Sequence, residues 1–199
     1  CVSANMGTSF WVPNDLTTRR LNAVRQSYRP SDIPDLSSFS MPVTLNEPVR
    51  DFIGFFTGRG RFTFARWYAR MGRYKPMMEA ILKRHGLPLE LLYVCMIESG
   101  FNTNAVSHAS AVGPWQFIRT TGEMYGLRGD AWVDERRDPS KATEAAARHF
   151  KDLYKQFKSW PLALAAYNAG SGNVRLAMKR VGSNDFWRLA VMSALPNEA

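Results

Sequence analysis

The stretch Glu98-Ser-Gly-Phe-Asn-Thr-Asn-Ala-Val-Ser-His-Ala-Ser-Ala-Val-Gly-Pro-Trp-Gln-Phe117 sets one carboxylate at the end of an apolar segment and follows it with a loop of small and amide-bearing residues. Just upstream, Gly86-Leu-Pro88 reads as a helix start, with Pro88 near the first helical position, where its missing N–H costs nothing. Leu89, Leu91, Leu92, Tyr93, Val94, Cys95, Met96 and Ile97 are apolar almost all the way round, which predicts a buried helix closing on Glu98. Burial disfavours the charged form of a carboxyl and raises its pKa, the tuning a general acid needs near neutral pH. Glu98 is therefore the candidate acid. A glutamate at a helix end can equally cap the helix or pair with an arginine, so the neighbouring residues have to decide between these roles.

The chain has 199 residues, enough for one domain with an extended arm and ample for a core. Its 26 Lys and Arg against 17 Asp and Glu give a net charge of +9. That charge predicts attraction to polyanions: nucleic acid, anionic lipid or cell wall. The basic residues are scattered, with no dense run and no nucleic-acid motif, so nucleic acid is not an expected partner. No apolar run approaches the roughly 20 residues that span a bilayer. His85, His108 and His149 occur singly, without Cys or carboxylates at zinc spacing, so neither a metal nor a cofactor is expected. Cys95 lies inside the apolar helix and reads as a small buried hydrophobe, with no bridge to Cys1.

Four spaced pieces stand in order: Glu98-Ser99, Ala105-Val106-Ser107, Gly113-Pro114-Trp115-Gln116 and Ala166-Tyr167-Asn168-Ala169-Gly170. This pattern resembles the lytic transglycosylases of the goose-lysozyme-like superfamily, and Arg73-Tyr74 and Trp132-Val-Asp-Glu-Arg-Arg-Asp-Pro139 add to the likeness. It runs from roughly residue 46 to residue 196. The resemblance implies a mainly α, lysozyme-like helical domain over residues 46–199, preceded by an N-terminal arm over residues 1–45. It implies peptidoglycan glycan strands as the partner and the bacterial envelope, in the periplasm, as the location. A chain numbered from Cys resembles a mature lipoprotein, so Cys1 is the expected site of acylation and of outer-membrane anchoring. The resembled family continues past the point matching Ala199 with a segment that helps complete the cleft, so the domain is expected to be cut short there.

In chain order, the arm carries Pro13, Pro30, Pro34 and Pro42 among polar residues, with Phe10, Trp11, Tyr28, Leu36 and Phe39 expected to lie across the domain. Val49, Phe52, Ile53 and Phe56 recur at helical spacing behind an Asn46 N-cap, and Gly58-Arg-Gly60 ends that helix. Phe62 to Met71 reads as a second helix with Phe64, Trp67 and Tyr68 in the core, and Lys75 to His85 as a third, with Gly86 at its C-terminus. Past the catalytic loop, Pro114 to Tyr125 is expected to be helical, placing Gln116 in a first turn near the positive end of the helix dipole. Residues 126–140 read as a loop whose charges pair at the surface. Thr143 to Phe157 is strongly amphipathic, Leu162 to Asn168 is apolar, and residues 173–190 give one or two further helical segments. No sustained alternation marks strands.

Glycoside cleavage usually takes two carboxylates. The resemblance implies instead that Glu98 protonates the oxygen between N-acetylmuramic acid and N-acetylglucosamine, then removes the proton from the muramyl C6 hydroxyl as it closes on C1. It further implies that Ser107 bonds near Glu98 or the N-acetyl group and that Gln116 contacts sugar in the same subsite. Tyr167 would position Glu98, Asn168 and the backbone at Ala166 would bind the N-acetyl amide, and Phe117 and Ile118 would wall the sugar faces. The family often has Met where Ile118 stands, an apolar exchange that keeps the wall. Two alternatives stay open. A hydrolytic muramidase would draw its second carboxylate from Asp130, Asp134 or Asp138, and a scaffold protein would bind wall without cutting it.

Overall fold

The computed structural model describes residues 39–195. Cys1 and the aromatic residues of the arm up to Leu36 lie outside the described residues. Helix α1, Glu47–Thr57, starts as its sequence dictates: the Asn46 side-chain oxygen accepts from the Val49 N–H at 3.2 Å, with Glu47 in the first turn. Just before it, Ser40 donates through both backbone N–H and hydroxyl to the Glu90 carboxylate, at 2.7 and 2.6 Å. Met41 packs against the core. This end of the arm thus lies on the domain.

Helix α2, Arg61–Arg84, is one continuous helix where two were expected. Pro76 sits inside it and cannot donate to the carbonyl of Gly72. The helix is carried through by a buried face, Met71, Met78, Ile81 and Leu82, on both sides of the proline. It ends at Gly86, in a left-handed conformation, as the sequence predicts: Gly86 N–H bonds Lys83 C=O and Leu87 N–H bonds Leu82 C=O. The aromatic residues of its first half depart from expectation, because Phe64 is 37 % and Tyr68 56 % exposed.

A 3₁₀ turn, Leu89–Leu91, with Pro88 as its N-cap, leads into helix α3, Leu92–Ser99. Leu92, Cys95 and Met96 are buried, but Tyr93 and Ile97, one turn apart, are exposed, so α3 has an open side that its apolar sequence conceals. Helix α4, Arg119–Met124, begins five residues later than expected. A 3₁₀ turn at Glu135–Arg137 precedes helix α5, Pro139–Phe157, whose N-cap Asp138 accepts from the N–H groups of Ser140 and Lys141. Helices α6, Trp160–Ala169, α7, Ser171–Val181, and α8, Phe186–Val191, follow. Leu176, on α7, is exposed.

The fold is mainly α, with isolated β-bridges and no longer strand among the described residues. Helix α5 runs through the centre, against α2 on one side and α6 on the other. Ala142, Ala145 and Ala146 on α5 and Ala163 and Ala166 on α6 are all buried, and such small side chains let helices approach closely. Trp115, Phe101 and Phe150 are the largest fully buried side chains. Leu153, Leu162, Val174 and Leu189 form a second buried cluster beneath α6 to α8. Among the described residues, no helix is long and apolar enough to cross a membrane.

Candidate active site

The site is assembled where the C-terminus of α3 meets the loop of residues 100–118. Gly100 ends α3 in the left-handed region, φ +59°, and lies hard against Trp67: a Cβ there would stand 2.1 Å from Trp67 Cδ1. Both the backbone and the contact demand glycine. Ser99 Oγ donates to Pro114 C=O at 2.8 Å and accepts from Asn102 N–H at 3.1 Å, while Cys95 Sγ donates to the same Pro114 carbonyl at 3.3 Å. Two successive turns of α3 thereby pull residues 113–117 against its Glu98 end.

Residues 113–117 form a turn instead of the helix expected from Pro114. Val112 and Phe117 exchange backbone hydrogen bonds at 3.0 and 3.1 Å, and Gln116 N–H reaches back to Gly113 C=O at 3.2 Å. Trp115 drives this choice. Its indole is wholly buried beside Phe150 and donates to Thr143 Oγ1 at 2.9 Å, anchoring the turn to α5. Gln116 therefore stands at φ +49°, outside any helix dipole, with its amide Nε2 donating to Gly113 C=O at 2.8 Å. Its amide oxygen keeps acceptor capacity for a ligand.

Arg136 locks this turn. Its guanidinium pairs bidentately with Asp134, at 2.9 and 2.7 Å, and Nη1 donates to both Ser110 C=O and Phe117 C=O. Gly113 sits beneath it at φ +85°, where a Cβ would lie 1.8 Å from Arg136 C=O. Neither Ser99 nor Arg136 was assigned a role from the sequence, although the Glu-Ser pair and the 132–139 segment were both part of the recognisable pattern.

Part of the Glu98 side chain stays open to solvent. The protein packed around its carboxyl nevertheless raises the pKa to about 7, and burial alone is the cause. Burial, then the Glu98 charge, push both the Cys95 thiol and the Tyr167 phenol upward. Tyr167 stacks on Phe150, ring centroids 4.4 Å apart, and donates its hydroxyl to Trp115 C=O at 2.7 Å. His149, 5.1 Å from the Tyr167 ring and 4.7 Å from that of Tyr125, has its pKa lowered to about 4 by burial. It is neutral at neutral pH.

The remaining predicted site residues fall in three groups. Ser107 and Ile118 are half-buried on the loop, with Ser107 Oγ accepting from Ala111 N–H at 3.0 Å. Phe117 and Ala166 are buried, at 3 % and 2 % exposure, so Phe117 backs the site, and the Ala166 carbonyl already accepts from Gly170 N–H. Asn168 is half-buried in the last turn of α6. Each aspartate considered as a second carboxylate has its own engagement. Asp130 accepts from the N–H groups of Trp132 and Val133, Asp134 holds Arg136, and Asp138 caps α5.

Residues 75–190, more than half the chain, match the transglycosylase SLT domain. The chain is similar to membrane-bound lytic murein transglycosylase D of Escherichia coli (strain K12), with 42% identity over 113 residues, 54% of this chain and 25% of that protein. It is 33% identical over 114 residues to a putative tributyltin chloride resistance protein of Alteromonas sp. (strain M-1), covering 57% of this chain and 55% of that one. It is also 32% identical over 116 residues to membrane-bound lytic murein transglycosylase F of Desulfosudis oleivorans, covering 57% of this chain and 26% of that protein. The chain thus spans about a quarter of the two named transglycosylases and about half of the resistance protein. Its fold is similar to that in the X-ray structure of an inactive mutant of lytic transglycosylase Slt from Pseudomonas aeruginosa, with a TM-score of 0.52 at 23% identity over 62% of this chain and 21% of that one. Helical order, site loop and family match agree: this chain belongs to the transglycosylase SLT domain family.

Proposed function

We propose that the chain is the catalytic unit of a peptidoglycan lytic transglycosylase, cleaving the β-1,4 bond between N-acetylmuramic acid and N-acetylglucosamine. The observation that carries this reading is Glu98, a partly open carboxyl whose pKa is raised to about 7 by burial alone. A carboxyl near that value can give a proton and take one back at neutral pH. Glu98 protonates the glycosidic oxygen as the bond to muramyl C1 breaks. The C6 hydroxyl then attacks C1, its proton passes to Glu98, and a 1,6-anhydro ring closes with no water consumed.

In this reading Gln116 and Ser107 contact the muramyl residue, Asn168 and the backbone at Ala166 meet its N-acetyl amide, and Ile118, backed by Phe117, forms the apolar wall. Tyr167 holds the Trp115 carbonyl and, through it, the turn bearing Gln116. A hydrolase is less well supported, because Asp130, Asp134 and Asp138 are each engaged elsewhere. The bacterial envelope is the matching location, in keeping with the membrane-bound relatives.

Mass spectrometry of muropeptides released from purified peptidoglycan tests the reaction. Ends in 1,6-anhydro-N-acetylmuramic acid, lighter than reducing ends by one water, are expected. Reducing muramyl ends would establish a hydrolase.

A further inference from the structure

An aromatic row leaves the site loop and runs out along α1 and α2. Trp67 packs on Gly100, two residues after Glu98. The Phe56 ring stands 5.9 Å from Trp67, Phe64 5.7 Å from Phe56, and Tyr68 stacks on Phe64 at 6.3 Å and 24°. The inner rings are half-buried, whereas Phe64 and Tyr68 are 37 % and 56 % exposed. Exposed rings in a connected row are unusual on a soluble surface unless something binds them. Arg66 and Arg70 lie on the same stretch of α2, both exposed, and Arg70 reaches the Gly100 carbonyl at 3.5 Å.

We propose that this row is an extended binding surface for the peptidoglycan strand, carrying the polymer beyond the cleft. The inference rests on the transglycosylase reading for its ligand. A pyranose ring presents C–H faces that stack on aromatic rings, and the stem peptides attached to muramyl residues bear carboxylates that pair with arginines. Two features select this occupant over a bilayer or a second copy of the chain. The row is continuous with the catalytic loop, so a bound strand meets it on leaving Glu98. Arg70, next to Trp67 at the inner end of the row, also supplies charge complementary to an anionic polymer.

The test compares two chains, both carrying Glu98→Gln so that ligand is not consumed. One also carries Phe64→Ala and Tyr68→Ala. Binding to insoluble peptidoglycan sacculi, to a soluble tetrasaccharide muropeptide and to vesicles of anionic phospholipid is measured, with thermal melting as the check on folding. The surface predicts a loss of about tenfold or more in sacculus affinity, with tetrasaccharide affinity kept within about twofold. Unchanged sacculus binding overturns the proposal, as does loss of vesicle binding alone, which would assign the row to a membrane. If the triple variant melts early, Tyr68→Ala alone, at the most exposed ring of the row, is put through the same comparison and read by the same criteria. Products of the unsubstituted chain judge the reaction separately. Reducing ends together with a tenfold loss of sacculus affinity would reject the transglycosylase reading and keep the surface, whereas anhydro ends with unchanged affinity would do the reverse.

Discussion

The Tyr167 hydroxyl donates a 2.7 Å hydrogen bond to the backbone carbonyl of Trp115, tying α6 to the turn that presents Gln116. Tyr167→Phe keeps the ring stack on Phe150 and leaves that carbonyl without its partner, at a cost of about 1–3 kcal/mol. The variant is expected to fold with a lower urea midpoint and to lose kcat more than KM. Wild-type kcat in Tyr167→Phe would confine the hydroxyl to a structural role.

In the proposed reaction Glu98 meets the glycosidic oxygen protonated, so kcat/KM should be level at acidic pH and fall with unit slope above about pH 7. A mechanism with a second, ionised carboxylate would add an acid limb and give a bell. A pH–rate profile on soluble glycan distinguishes the two shapes.

The same raised pKa has a stability consequence whose sign is the reverse of a salt-bridged carboxylate's. Folded Glu98 keeps its proton up to about 7, whereas the unfolded chain releases it near 4.5. Below the unfolded value the group contributes nothing. Between the two values stability falls as pH rises, and above about 7 the full penalty of a desolvated charge is present. Glu98→Gln removes that penalty. It should raise stability by up to ~3 kcal/mol at about pH 8 and leave it unchanged at about pH 4, as read by denaturant unfolding at both. Equal gains at the two pH values would tie the effect to packing instead of ionisation.

Gly113 carries both a left-handed backbone and a near contact with the Arg136 carbonyl. Gly113→Ala should cost about 3 kcal/mol or more and detach the turn from Arg136, abolishing turnover. Gly72, which meets nothing within 4 Å, is the control: Gly72→Ala should leave both stability and turnover intact or slightly improve stability. Similar losses at both positions would show that the clash is not the cause.

Local chemistry made much of this fold legible. The Asn46 cap, the Gly86 terminus and the stripe of α5 follow from hydrogen-bonding and periodicity rules that act within a few residues. What escaped the sequence depends on distant partners. Pro76 reads as a break because its local cost is plain, yet buried contacts on either side of it keep α2 whole. Pro114 reads as a helix start, but the hold of Thr143 on the Trp115 indole, 28 residues away, selects a turn. Phe64 and Tyr68 have the spacing of a core stripe, and spacing alone does not say whether another element arrives to cover them. The desolvation around Glu98 was legible in part, because Leu92, Cys95 and Met96 are buried as the apolar run predicts, whereas Tyr93 and Ile97 stay exposed. Arg136 was not legible, because only the folded loop brings its guanidinium to Ser110 and Phe117.

The central claim is that burial makes one carboxyl both acid and base, and direct titration of Glu98 tests it most closely. Carbon-detected NMR of glutamate-labelled protein, with Glu98→Gln to assign the resonance, gives its midpoint. A value of about 7 is expected. A midpoint near 4.5, the ordinary carboxyl range, would contradict the account, because Glu98 would then be ionised at neutral pH and unable to protonate the leaving oxygen.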